Sequence, residues 1–167
     1  MAVPVTVEDR LALRELVDRY AAAADRRDTE MFHSLWWHGA ELAVHRDGPD
    51  RAATSLLRAP EDLDHVIERL SRHHRTLHLI TNHLVEISDD DDDVATGEAS
   101  CTAHHITLAD PAEEGGPAND HIMTIRYVDR YRRANRHWRF EHRAVNLLWS
   151  ADVAVNATPG ALRDSRE

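Results

Sequence analysis

The feature that most restricts how this chain can fold is a change of hydrophobic period near residue 75. Before it, apolar residues recur every three to four positions; beyond it they alternate with a period of two. Residues 6–25 carry Leu13, Leu16, Val17, Tyr20, Ala21 and Ala24 on one helical face, with Thr6 placed as N-cap and Asp9 in the capping-box position. A second helix is predicted over 29–37, with Thr29 as cap, Phe32, Leu35 and Trp36 on its apolar side and Gly39 ending it. Residues 40–45 read as a short strand. A third helix starts near Pro60, with Glu61 and Asp62 in its first turn and Leu63, Val66, Ile67 and Leu70 inward.

Four long strands follow. They are 75–87, 94–108, 121–133 and 136–149, the last two forming a hairpin around Ala134-Asn135. The acidic run Asp89–Asp93 makes the first turn, and a Pro/Gly loop spans 109–120. Like charges in such a run favour a solvated turn, and the spacing and glycine of a calcium loop are absent. The tail after Trp149 is small and polar and is expected to end loosely. Helices followed by an antiparallel meander predict an α+β fold: a curved sheet around the first helix, with a pocket between them. The chain is expected to form one domain over 1–167, with its core in about 6–150.

Composition narrows the function. With 167 residues, 42% of them apolar, the chain can bury one core. No apolar run approaches the roughly 18–20 residues of a membrane span. The N-terminus lacks the basic-then-apolar layout of a secretory signal, so a cytoplasmic location is expected. The formal charge of −10 repels a phosphate backbone, which argues against nucleic acid as a partner. The single Cys101 allows no internal disulfide. Histidine is abundant, with 13 residues, yet no HExxH and no Cys/His ligand set occurs. His73, His74 and His78 fall on an extended segment that scatters their rings, so no metal site is expected.

The residues able to carry chemistry each have a plainer reading beside the functional one. Tyr20 fits a core tyrosine, and Asp25 fits a surface carboxylate beside Arg26 and Arg27. At ideal pitch the two stand about 140° apart on the helix, and they meet one pocket only if Asp25 terminates it. His78 shares a strand face with Ile80 and Asn82; it is a core histidine or a general base whose tautomer a carboxylate would hold. His105 belongs to a face otherwise made of Ala95, Gly97, Ala99, Cys101 and Ala103, which leaves room beside it; His104 faces the other way. Arg143 is an exposed strand cation or sits at a bend. Cys101 has no feature that would lower its pKa.

Four stretches in this order resemble a known family: LRELVDRYAAAADRRD, MFHSLWWHGAEL, HRTLHLITNHLVEI and YVDRYRRANRHWRFEHR. Together they are similar, over roughly residues 6–150, to the SnoaL-like branch of the nuclear-transport-factor-2-like superfamily. Within it they resemble three groups of lyases: scytalone dehydratases, bile-acid 7α-dehydratases and hexachlorocyclohexane dehydrochlorinases.

The resemblance implies a cone-shaped α+β barrel, a cofactor-free pocket and a catalytic Asp–His pair at Asp25 and His78. It further implies a substrate-facing hydroxyl at Tyr20, as in the dehydratases, and an arginine at Arg143 from the W-x-x-x-x-R spacing. A second histidine is implied at His105, with an alignment slip to His104 left open. The expected activity is elimination of water or another small group from a hydrophobic cyclic molecule such as a steroid, terpene or polyketide. Isomerisation, cyclisation and non-catalytic binding are the alternatives within the same fold. Leu35, Trp36, Trp37, Ile80, Asn82, Met123, Tyr127 and Leu147 are the expected substrate-binding residues, and a homo-oligomer, trimer or dimer, is expected.

Overall fold

A computed structural model describes residues 4–113 and 115–158. Helix α1, Val7–Arg26, begins as the sequence predicts: Thr6 Oγ1 accepts from the Asp9 N–H at 3.0 Å, and its hydroxyl donates to Asp9 Oδ2 at 2.8 Å. It ends at Arg27, which takes a left-handed conformation at φ 61°. Helix α2 is shorter than expected, Thr29–Ser34, and its cap is Asp28, whose carboxylate accepts from the Met31 N–H at 2.8 Å.

The two tryptophans therefore leave the helix. Strand β1, Trp36–His45, begins with them and runs parallel to the last strand. Tertiary pairing overrides the local helical pattern here: the Phe140 N–H bonds to Leu35 O at 2.9 Å, and the Trp36 and Phe140 rings lie 4.9 Å apart. Gly39 does not end a helix. With φ at 78° it sits where the β1 register shifts between Trp36 and Glu41. A short strand not foreseen in the sequence, β2 (Ser55–Arg58), pairs antiparallel with β1. Pro60 follows a cis peptide bond, and α3 starts beyond it, at Asp64–Leu70, burying Ile67 and Leu70.

Strands β3 (Arg75–Ile87) and β4 (Val94–Leu108) have the expected bounds. Strands β5 (Pro117–Ala134) and β6 (His137–Asn156) are longer than expected, because Pro117–Met123 pairs with Ser150–Asn156. The segment after Trp149 is thus strand up to Asn156; residues 159–167 of the expected loose tail lie outside the described residues. The order β2-β1-β6-β5-β4-β3 is antiparallel at every step except β1/β6. Register shifts in β3 between Ile80 and His83, and in the β5/β6 pair at Thr124/Ile125 and Arg130/Tyr131, bend the strands. The concave face packs on α1 through Leu13, Val17 and Ala23, all fully buried.

The acidic turn is held by cations from the β5 end. Arg133 Nε donates to Asp93 Oδ1 at 2.8 Å and its Nη2 to Asp92 O at 2.9 Å. Among the described residues, no helix is long and apolar enough to cross a membrane.

Close packing inside the curve is tightest at Gly97 on β4. A Cβ there would lie 2.8 Å from Tyr131 Cε2 and 3.1 Å from the Leu84 carbonyl oxygen. Gly97→Ala is expected to destabilise the protein by about 1–3 kcal/mol, the usual cost of overpacking. Urea unfolding measures it, and an unchanged midpoint would refute the packing argument.

Candidate active site between helix α1 and the curved sheet

Asp25 stands in the last turn of α1, where the Arg27 side chain closes the helix end. Arg27 Nη1 donates to Ala24 O at 2.6 Å and to Thr76 Oγ1 at 2.7 Å, and its Nη2 to Leu70 O at 2.7 Å. The Thr76 hydroxyl in turn donates to Asp25 Oδ1 at 2.9 Å. The His78 backbone N–H donates to Asp25 Oδ2 at 2.9 Å, and the His78 ring Nδ1 lies 2.6 Å from Asp25 Oδ1. Burial pushes the Asp25 carboxyl up. The ring of His78, its backbone N–H and the Thr76 hydroxyl outweigh that, and hold Asp25 below its ordinary range. An ionised acceptor fixes the proton on Nδ1 and leaves the Nε2 lone pair of His78 free.

His78 lines a cavity of about 140 Å³ between α1, α3 and the sheet. Its deep walls are apolar: Ala24, Leu42, Leu70, Ile125 and Val145, with the ring of Tyr20. His105 lines it too, its ring centroid 5.5 Å from His78 and 4.7 Å from His73. Its Nε2 is buried without a hydrogen-bond partner. Desolvation, then the neighbouring His78 and His73, push His105 down to about 3, so its imidazole is neutral at ordinary pH. His104 points away and bonds to Asp120 Oδ2 at 2.7 Å. The small-residue face of β4 therefore selects His105.

Arg143 is neither an exposed cation nor a cavity residue. Both it and Asp129 are wholly buried, joined by Nε to Oδ1 at 2.8 Å and Nη2 to Oδ2 at 2.7 Å. The guanidinium lies 4.2, 4.1 and 4.2 Å from the ring centroids of Tyr20, Tyr127 and Phe140. Burial opposes its charge, but Asp129 more than compensates and raises its pKa. The Tyr20 hydroxyl is pushed up by burial, against the lowering effect of Arg143, and stays protonated. Arg143 thus reaches the cavity only through the two tyrosine rings that line it.

Of the expected substrate-binding residues, Met123, Tyr127 and Leu147 line the cavity. The other five do not. Leu35 borders a separate groove lined from α1 by Ala12, Glu15, Leu16 and Arg19. Trp36 is a core residue against Tyr20, at 6.2 Å, and Trp37 donates its Nε1 to Arg132 O at 3.0 Å. Ile80 packs at the margin of the core. Asn82 is exposed because the register shift in β3 gives the inner face to His83. Sequence reasoning missed Leu42, Val44 and Leu57, since β2 and the pairing of β1 were not foreseen. It also missed Arg46, His65 and Arg69 at the mouth. The α3 stripe, with Val66 and Leu70, was the one local signal for part of this wall.

Two larger grooves, of about 490 and 690 Å³, lie along the N-terminal part of α1 and the β5/β6 turn. Charged residues such as Glu15, Arg19, Asp93 and Arg136 border them, and neither contains the Asp25–His78 pair. Among the described residues no cluster of His, Cys, Asp or Glu is disposed to hold a metal ion. Burial pushes the Cys101 thiol up to about 11, which removes it as a nucleophile at ordinary pH.

A carboxylate held low in the folded state adds stability above its unfolded pKa of about 3.9, and that stability is lost as pH falls through the folded value. Asp25→Asn is therefore expected to flatten the loss of stability below about pH 4. Urea midpoints measured against pH test this; an acid limb as steep as that of the parent protein would refute it.

Comparison with known proteins bears on the fold. No curated protein sequence matches the chain significantly. Among solved structures it is similar to hexachlorocyclohexane dehydrochlorinase LinA-type3 from Novosphingobium barchaimii LL02. The TM-score is 0.70 at 19% identity, covering 90% of this chain and 94% of that one. A protein from Novosphingobium aromaticivorans DSM 12444, provisionally assigned as a scytalone dehydratase, gives 0.68 at 16% identity over 94% and 95% of the two chains. Rv3472 of Mycobacterium tuberculosis, a protein of unknown function, gives 0.64 at 23% identity over 83% and 71%. Residues 5–144 match the SnoaL-like domain, and the chain belongs to that family.

Proposed function

We propose that the protein is a cofactor-independent lyase that eliminates water or another small leaving group from a hydrophobic cyclic molecule. The observation that carries this reading is the Asp25–His78 pair, closed at 2.6 Å, beside an apolar cavity. In this scheme His78 Nε2 takes the proton from a carbon next to an activating group. The electrons of that C–H bond form the new C=C bond, and the bond to the leaving group breaks. Asp25 keeps His78 in the right tautomer and stabilises the imidazolium that forms. Tyr20 lines the cavity with its hydroxyl protonated, and in this scheme it hydrogen-bonds the oxygen where negative charge develops. Arg143 against its ring favours that charge without touching substrate. Neutral His105 offers a second ring to the leaving group.

The apolar lining supports a rigid lipophilic ring system such as a steroid, terpene or polyketide. The LinA relative is named as a dehydrochlorinase, which is in keeping with elimination. A non-catalytic binder has no need to hold an ionised carboxylate against an imidazole. An isomerase or cyclase would use the same proton abstraction, so the products must discriminate between them.

The test is a panel of cyclic β-hydroxy and β-halo ketones in deuterated water, followed by NMR. Elimination produces an olefin and a released leaving group, whereas isomerisation leaves the mass unchanged apart from deuterium. His78→Ala is expected to lower turnover by about 10²–10⁴ while keeping the fold. Full activity in that variant would overturn the mechanism.

Oligomerisation belongs to the same proposal. Leu77, Leu79, Leu84 and Val128, on the convex face of the sheet, are 45–67% exposed, an apolar surface that a second copy would cover. Light scattering is expected to show a trimer or dimer, and a monomer at working concentration would count against it.

A further inference from the structure

We infer that the ligand of this cavity carries one anionic head group, a carboxylate or phosphate ester, at the end opposite its apolar rings. The inference rests on the proposed use of the cavity as the substrate site. Arg46, at the end of β1, and Arg69, on α3, line the cavity and are both exposed. Neither carries a side-chain hydrogen bond or ion pair among the described residues. Ser55 and His65 line the cavity as well.

Among the described residues, no aspartate or glutamate lines this cavity, although the chain holds 30 acidic residues against 20 basic ones. Elsewhere this excess of acid pairs many arginines: Arg14 with Asp18, Arg58 with Glu41, Arg126 with Glu98 and Arg133 with Asp93. Two arginines without a side-chain partner among the described residues put positive charge on one cavity of an acidic molecule. A guanidinium binds carboxylate or phosphate through paired N–H donors, and a ligand seated across both groups would be gripped at its head while its rings fill the apolar depth. The overall acidity argues against a polyanionic partner such as nucleic acid; the local arrangement accommodates a single anionic head group.

Two fluorescent probes sharing one ring system separate charge from lipophilicity: 8-anilinonaphthalene-1-sulfonate and the neutral N-phenyl-1-naphthylamine. The sulfonate is expected to bind roughly tenfold more tightly at low salt, with the advantage shrinking in about 0.5 M sodium chloride. The Arg46→Gln/Arg69→Gln double variant should abolish the advantage and leave the neutral probe within about twofold. In competition, 2-naphthoate or 1-naphthyl phosphate should displace the sulfonate at lower concentration than 1-naphthol, and the better of the two names the head group.

Equal affinity for the two probes overturns the inference, as does an anion preference that survives in the double variant or naphthol competing as well as both anions. Binding needs no turnover, and His78→Ala should keep the preference. Loss of the preference therefore leaves the Asp25–His78 chemistry standing, and an inactive protein that still prefers the anion overturns the lyase reading alone.

Discussion

The carboxylate of Asp25 ties the end of α1 to the middle of β3. It receives the Thr76 hydroxyl, the His78 backbone N–H and the His78 ring, all between 2.6 and 2.9 Å. Arg27 adds a second tether, holding both the helix's own carbonyls and the Thr76 hydroxyl. Desolvating a carboxylate is costly unless its lone pairs are used. Here they are used by one strand, so the angle between helix and sheet and the orientation of the His78 imidazole are set by the same bonds. A shift of α1 would leave a partly buried charge without partners, which is why the pair can stay rigid beside a cavity whose deep walls are apolar.

A second buried charge stands behind the cavity wall. Arg143 and Asp129 are closed off from solvent and joined through two hydrogen bonds, with Tyr131 donating to Asp129 Oδ2 at 2.7 Å. Three aromatic rings surround the guanidinium at close to 4 Å. A buried pair of this kind adds little net stability over an apolar replacement, yet removing one partner costs about 3–5 kcal/mol. Its local effect is to place a positive charge against Tyr20 and Tyr127, the two phenols of the cavity wall. The core beneath the site is thus polarised in advance, and no substrate contact is needed for Arg143 to act on the Tyr20 hydroxyl.

Between these two fixed centres the sheet bends. The register shift in β3 turns Asn82 outward and His83 inward, where it meets the Tyr131 hydroxyl at 3.1 Å. The β5/β6 pair carries two further register shifts, at Thr124/Ile125 and Arg130/Tyr131. Curvature of this sort brings β1, far from β3 in sheet order, across the cavity from His78, so Leu42 and Val44 face the imidazole's chamber. Charge follows the same geometry: the deep walls are apolar, and Arg46 and Arg69, without side-chain partners among the described residues, lie on chain segments distant from Asp25 in sequence.

Much of this was legible in the chain. The change of period at residue 75, the Thr6–Asp9 cap and the bounds of β3 and β4 are local properties, set by side-chain spacing and by hydrogen bonds within a few residues. The inward face of β4 was legible for the same reason: small residues at alternate positions leave space beside His105, and nearest neighbours decide which face they share. The Asp25–His78 contact followed from resemblance, since nothing in spacing alone brings residue 25 to residue 78. Only the tertiary structure decided the rest. Trp36 and Trp37 fit a helix by pattern but became strand, because pairing with β6 and stacking on Phe140 outweigh weak local propensity. Arg143, polar on a strand, became a wholly buried cation because Asp129 lies opposite it across the β5/β6 register. Asn82 lost its expected place to a single bulge, since one extra residue exchanges the two faces of a strand. Periodicity assigns faces within an element; which faces meet, and which charges find partners, depends on contacts between residues far apart in the chain.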